Sequence, residues 1–236
     1  MLSESLRFRP QFWPTLVAVP MFLALLGLGT WQVLRQAEKA EINAFRAERA
    51  AAQPVEIVEV ARDPAAYEFR RVRARGTFDH AREIYVYGRS QRGNDGYYVV
   101  TPLRRDDGAP VLVNRGWVPT ARKAAGRRAE GQLAGPVEVV GFLRRDPRRG
   151  WLMPDNDTSG NHWFWFDLSA MSSSAGISPP AEFYLEADAM PNPGGFPIGG
   201  QTQLQLPSPH LQYAFTWFAL AVGLAVIYVV WHRRPG

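Results

Sequence analysis

The chain has 236 residues, no cysteine and a net charge of +5 at pH 7. That length suits one sizeable domain with anchors, and the missing cysteine excludes disulfides and thiolate metal or redox chemistry. Between Gln36 and Pro209 there are 22 Lys+Arg against 21 Asp+Glu, so the basic excess flanks two apolar ends rather than forming a face for a polyanion, and nucleic acid is not expected as a partner.

The first element follows a short arm carrying Arg7 and Arg9. From Trp13 to Leu34 there is no charged residue. As a helix at about 1.5 Å per residue this stretch covers about 33 Å, enough for a hydrocarbon core of about 30 Å. Pro14 falls in the first turn, where its missing N–H costs nothing. Pro20 predicts a kink or a packed site, and Gly27 and Gly29 predict close approach of another helix. Trp13 and Trp31 bracket the span as interfacial aromatics. The stretch is long for a signal peptide and no small-x-small site follows, so it reads as an uncleaved anchor. The dozen residues before it are few for a mitochondrial presequence. Together with the predominance of Arg over Lys and the frequent Ala, this favours a bacterial inner membrane.

Leu34, Ala37, Glu41, Ile42, Phe45 and Arg49 continue at helical spacing until Pro54. Strand-like runs follow at Arg71–Phe78, Glu83–Tyr87, Tyr97–Arg104, Pro110–Val113 continuing to Trp117, Val137–Leu143, His162–Phe166 and Glu182–Ala187. They are rich in Val, Tyr, Phe and Trp and are separated by turn residues such as Gly93-Asn94-Asp95-Gly96 and Asp106-Asp107-Gly108. Most lack a helical period between them, which predicts antiparallel connections and a small sheet or partly closed barrel. Residues 119–135 contain a candidate short helix, and 189–207 reads as a Pro/Gly-rich linker back to the membrane. The run from Arg70 to Arg75 reads as the solvated face of a strand.

The second span runs from Pro209 to Trp231, with Ser208 as a candidate N-cap and Pro209 as the first helical residue. His232-Arg233-Arg234 closes it, while no Lys or Arg lies between Arg149 and the span. The positive-inside rule then puts the C-terminus in the cytoplasm and the middle of the chain outside it. The predicted fold class is a membrane protein with two transmembrane α-helices flanking an antiparallel β-rich (α+β) extracytoplasmic domain. The predicted divisions are 1–12 as a cytoplasmic arm, 13–34 as the first span, 35–208 as the β-rich domain with helical stalk and linker, 209–231 as the second span and 232–236 as a cytoplasmic tail.

Catalytic motifs are missing: there is no H-E-x-x-H, G-x-S-x-G, G-x-x-x-x-G-K, or G-x-G-x-x-G after a strand. The expectation is therefore a non-enzyme. Among the four histidines, His80 reads as a surface turn residue, His162 as a strand end and His232 as a membrane-surface residue. His210 falls in the first turn of the second span, where the positive end of the helix favours a neutral, ligand-competent imidazole. One helical face runs His210, Tyr213, Ala214, Trp217, Ala221, which suits a flat apolar macrocycle with iron at the histidine. The plain alternative is an interfacial histidine hydrogen-bonded to water or head groups.

Five blocks resemble the Surfeit locus protein 1 family of cytochrome c oxidase assembly factors. They are Leu28-Gly29-Thr30-Trp31-Gln32-Val33, Arg75-Gly76-Thr77-Phe78-Asp79, Gly96-Tyr97-Tyr98-Val99-Val100-Thr101-Pro102-Leu103, Val111-Leu112-Val113-Asn114-Arg115-Gly116-Trp117-Val118-Pro119 and His210-Leu211-Gln212-Tyr213-Ala214-Phe215-Thr216-Trp217-Phe218. The resemblance implies a chaperone that binds haem a and aids its delivery into the oxidase's catalytic subunit. His210 would be the iron ligand, with Tyr213, Trp217 and Trp31 lining the site. The implied partners are subunit I of a haem–copper oxidase and, as a second candidate, the haem a synthesis enzyme. The implied location is the bacterial inner membrane with the central domain in the periplasm. Neutral histidine ligation also implies weaker binding at acidic pH. The family often has Asn-x-His where this chain has Ser208-Pro209-His210. A scaffold that stabilises an assembly intermediate without touching haem, and a periplasm-facing enzyme, are the other readings.

Overall fold

The computed structural model describes residues 7–60, 62–89, 93–145 and 149–234. The chain divides into two compact units: the terminal segments up to Phe45 and from Gln205 onwards, and the stretch Arg46–Leu204.

In the terminal unit, helix α1 (Phe12–Ala51) pairs with α4 (His210–His232). Buried or half-buried positions on α1 recur at Thr15, Phe22, Gly29, Gln36 and Asn43, with Ala18, Leu25, Gln32 and Lys39 between them. This alternation of three and four residues keeps one stripe facing a partner helix. Ala214, Trp217, Ala221, Leu224 and Tyr228 form the matching stripe on α4. At Gly29 the two helices come close, since a Cβ there would stand 2.6 Å from the Phe218 ring, whereas Gly27 faces open space. At the other end the hydroxyls of Thr15 and Tyr228 hydrogen-bond to each other. There β1 (Arg7–Phe8) pairs antiparallel with β9 (Arg233–Arg234). The outer faces stay exposed and apolar, with Leu16, Val17 and Leu23 on α1 and Leu220, Val222, Ile227 and Val230 on α4. Both helices are long and apolar enough to cross a membrane.

The second unit is built on a mixed sheet of β2 (Val55–Glu56), β3 (Arg71–Phe78), β4 (Ile84–Arg89), β5 (Asp95–Arg104), β6 (Val111–Pro119), β7 (Pro136–Arg145) and β8 (Phe183–Ala187). Its order is β2-β3-β7-β8-β6-β5-β4, and a further β3–β5 pairing at Thr77↔Arg104 and Phe78↔Leu103 closes it into a barrel. Side-chain alternation sorts the core in two. Val111, Val113 and Leu185 join Val72, Leu103 and Leu143 in one cluster, with Ile57 and Val60 of α2 (Ile57–Val60). Leu112 and Tyr184 face the other way, onto Val86, Trp163 and the short helix α3 (Leu168–Ser174). Arg71, Arg73 and Arg75 are paired with Asp188, Glu56 and Glu138.

Several expectations are corrected. The domain is not wholly antiparallel, because β8 runs parallel to β6 and β2 parallel to β3. His162–Phe166 is not a strand. Asn161, at a left-handed φ of 53°, takes the edge of β4 with its side chain, accepting from Tyr85 N and donating to the Glu83 carbonyl. Only single bridges, Val86↔Trp163 and Asp157↔His162, follow. Residues 120–131 form two 3₁₀ stretches rather than an α-helix, broken at Arg128. The predicted linker is partly docked, because Trp117 and Ile198 exchange backbone hydrogen bonds at 2.9 Å. Ser208 is not the cap of α4; Pro209 is, and the Ser208 hydroxyl donates to Gln36. His232 is buried between Phe8 and Tyr228, with Nδ1 donating to the Tyr228 carbonyl.

The docking of Ile198 depends on Gly116, whose φ is +123° and whose added Cβ would meet the Ile198 carbonyl oxygen at 2.1 Å. Gly116→Ala is expected to destabilise the protein by about 2 kcal/mol or more. Gly27→Ala, in open space within a helix, leaves stability unchanged or slightly raised. Thermal unfolding of the two detergent-purified variants beside the parent checks both.

Candidate functional site

His210 opens α4 directly after Pro207-Ser208-Pro209. Gln32 and Gln36, four residues apart on α1, share a helix face and meet this entry. The His210 Nδ1 faces Gln32 Oε1 at 2.7 Å, and Ser208 Oγ donates to Gln36. Two turns further along, Asn43 clasps the Leu206 backbone, donating to its carbonyl at 3.1 Å and accepting from its N–H at 2.8 Å. With the Gln32 amide oxygen toward the ring, Nδ1 is the donor of this pair and Nε2 stays outside it. Nε2 makes no hydrogen bond among the described residues. This is the donor arrangement of a ligating histidine: one nitrogen is held by an acceptor and the other is open to a metal.

Of the aromatic residues predicted beside it, Trp217 lies on the buried stripe of α4, and its indole N–H is buried without a hydrogen-bond partner. Tyr213 and Trp31 are exposed. No ring contact among the described residues joins these four side chains to one another. Sequence reasoning missed Gln32, Gln36 and Asn43. The available signal was the recurrence of amides on the stripe that carries Gly29.

The β domain holds a second polar constellation. Glu83, Arg115 and Arg128 have side chains only 2%, 2% and 1% exposed. Arg128 grips the Glu83 carboxylate from both nitrogens, at 2.5 and 3.3 Å. Gln132, Thr101 and the Tyr85 hydroxyl also donate to it. Arg115 lies 3.5 Å away, donates to the Gly131 carbonyl and covers the Phe78 ring at 4.6 Å. His80 is not the surface turn residue expected. It bridges the Leu133 carbonyl at 2.9 Å and Glu83 at 3.3 Å. Burial works against the ionised Glu83. The hydrogen bond and charge of Arg128, with hydrogen bonds from Gln132 and His80, outweigh it and hold the carboxyl below the usual range. Burial, only partly countered by Glu83, pushes Arg115 down to about 10. Burial, with the Glu83 charge, pushes the Tyr85 phenol up to about 12. With both carboxylate oxygens already accepting hydrogen bonds, Glu83 is poorly placed to take a proton from a substrate. The cluster works as a buried lock between the strands and residues 120–133.

The sequence profile of the SURF1 family matches residues 19–222. Surfeit locus protein 1 of Mus musculus is 35% identical over 217 residues, covering 86% of this chain and 70% of that protein. The Takifugu rubripes protein of the same name is 35% identical over 218 residues, covering 86% of this chain and 90% of its own length. The Homo sapiens protein is 35% identical over 218 residues, with shares of 86% and 72%.

The charge lock predicts an acid limit. Because the folded Glu83 pKa is depressed, its stabilisation is complete above the unfolded value of about 4.3 and is lost as pH falls through the lower folded value. Glu83→Gln leaves two buried guanidinium groups without their anion and is expected to cost about 3–5 kcal/mol. It also flattens the acid dependence. Unfolding of both proteins at a series of pH values measures this, and parallel acid curves would refute it.

Proposed function

The chain belongs to the SURF1 family, and from that premise we propose that it is a non-enzymatic assembly factor for a haem–copper cytochrome c oxidase, holding haem a as cargo for transfer into subunit I. The observation that carries this reading is the His210 imidazole, with Nδ1 engaged by Gln32 and Nε2 open. His210 Nε2 supplies the iron ligand. Gln32 fixes the orientation of the ring. Tyr213 and Trp217, three and seven residues after His210 on α4, and Trp31 on α1 are the rings proposed to line the cargo. When bound, the iron prefers the deprotonated imidazole, so cargo affinity falls as pH drops.

The proposed setting is a bacterial inner membrane crossed by α1 and α4, with the β domain in the periplasm. The arginines after α4, against the Arg- and Lys-free stretch from 150 to 209, support that orientation. The haem a synthesis enzyme is the natural donor of the cargo, and subunit I is its recipient. Ser208, where the family often has Asn, donates to Gln36 and so still ties the entry of α4 to α1.

The test is the absorption spectrum of the detergent-purified protein after co-expression with the haem a synthesis enzymes. Wild type is expected to carry haem a, and His210→Ala to lose it or show a shifted spectrum. Equal haem in both would remove His210 from the site. No haem in either would favour a scaffold that works without cargo.

A further inference from the structure

Among the described residues, the two most exposed apolar side chains outside α1 and α4 sit side by side on the loop after β7. Trp151 is 90% exposed, Leu152 75% and the adjoining Met153 42%. Single exposed apolar residues are ordinary, but three in succession at one tip mark an interaction site. The tip has a built shape. Met153 N donates to the Gly150 carbonyl at 3.0 Å, closing a turn. Arg149 staples it: Nε and Nη2 donate to the Met153 carbonyl at 3.1 and 2.6 Å, and Nη1 donates to Asp155 at 2.6 Å. The same guanidinium lies 5.9 Å from the Trp165 ring centroid. Ordering the backbone in this way holds Trp151 and Leu152 outside the core.

The composition around the tip selects the partner. The six residues from Arg144 to Arg149 include four arginines and one aspartate, and Arg145 and Arg149 are exposed. An indole beside an exposed arginine suits the interface of a bilayer, where the ring sits at head-group level and Arg145 meets lipid phosphates. Leucine and methionine suit the acyl boundary just beneath. The chain also carries its own membrane spans, so a bilayer is always within tether of the loop at high effective concentration. We propose that residues 149–153 form an interfacial anchor that dips Trp151 and Leu152 into the membrane that α1 and α4 cross. The proposal rests on reading those helices as membrane spans. It does not depend on haem binding.

The absence of cysteine makes the test direct. Leu152→Cys is labelled with a nitroxide in the full-length protein, reconstituted in vesicles of phosphatidylethanolamine and phosphatidylglycerol. Collision with oxygen, which concentrates in lipid, is compared with collision with a water-soluble nickel chelate. Asp106→Cys, on an exposed loop, is the aqueous reference, and Leu23→Cys, on the exposed face of α1, is the lipid reference. The oxygen-to-nickel ratio at 152 is expected to exceed that at 106 several-fold and to fall when phosphatidylglycerol is omitted. A ratio equal to that at 106 overturns the proposal. So does shielding from both reagents, which would mark a protein groove as the occupant. A Leu23 label that reads as aqueous removes the membrane premise and the proposal with it.

Discussion

A hydrogen bond between side chains 178 positions apart, His210 Nδ1 to Gln32 Oε1, fixes the geometry on which the proposed site depends. In a low-dielectric surrounding an amide or an imidazole without a partner is costly, so such groups pair strongly and set register. Here the pairing is repeated along one stripe. Gln32 takes His210, Gln36 takes Ser208, and Asn43 takes both backbone groups of Leu206 as a neighbouring strand would. Gly29 then lets the Phe218 ring approach the α1 backbone. Apolar packing alone would allow α4 to rotate or slide by a turn, whereas these amide contacts admit one register, and that register decides which imidazole nitrogen is open.

The β domain uses the same physics with full charges. One carboxylate, Glu83, is shared by Arg128 and Arg115, and buried ion groups hold a fold only when geometry satisfies them. The Asn-Arg-Gly-Trp block, which carried much of the family resemblance, has a structural role at every residue. Asn114 accepts from Gly116 N, Arg115 enters the lock, Gly116 admits the Ile198 carbonyl, and Trp117 donates to the Gly88 carbonyl. A motif that marks a family therefore need not mark its chemistry. In this chain the block fastens the barrel to the segment that returns toward α4 in sequence.

Both long helices and six of the seven expected strands were legible, because alternation, β-branched content and turn residues all pointed the same way. His162–Phe166 misled because its composition is strand-like, while the Asn161 side chain takes the hydrogen bonds a strand would have made. The parallel placement of β8 was hidden because its crossover contains only α3, a Ser-rich seven-residue helix with too few turns to show a period. Residues 120–131 have helical composition, yet Arg128 turns inward to Glu83, a tertiary charge pairing no local rule contains. His210 stood out as a lone histidine at a helix start. Its partner did not, because a glutamine within an apolar span signals only that some hydrogen bond exists, not which residue makes it.

The most direct test of the central claim concerns Gln32 rather than the histidine itself. Purified apo-protein is titrated with haem a, comparing wild type with Gln32→Leu, a change of similar size that removes only the acceptor for Nδ1. If Gln32 orients the ligand, affinity falls about 10–100-fold while the protein stays folded and His210 is intact. Equal affinity in the two proteins would contradict the account, because the hydrogen bond that selects the open nitrogen would then have no bearing on the site.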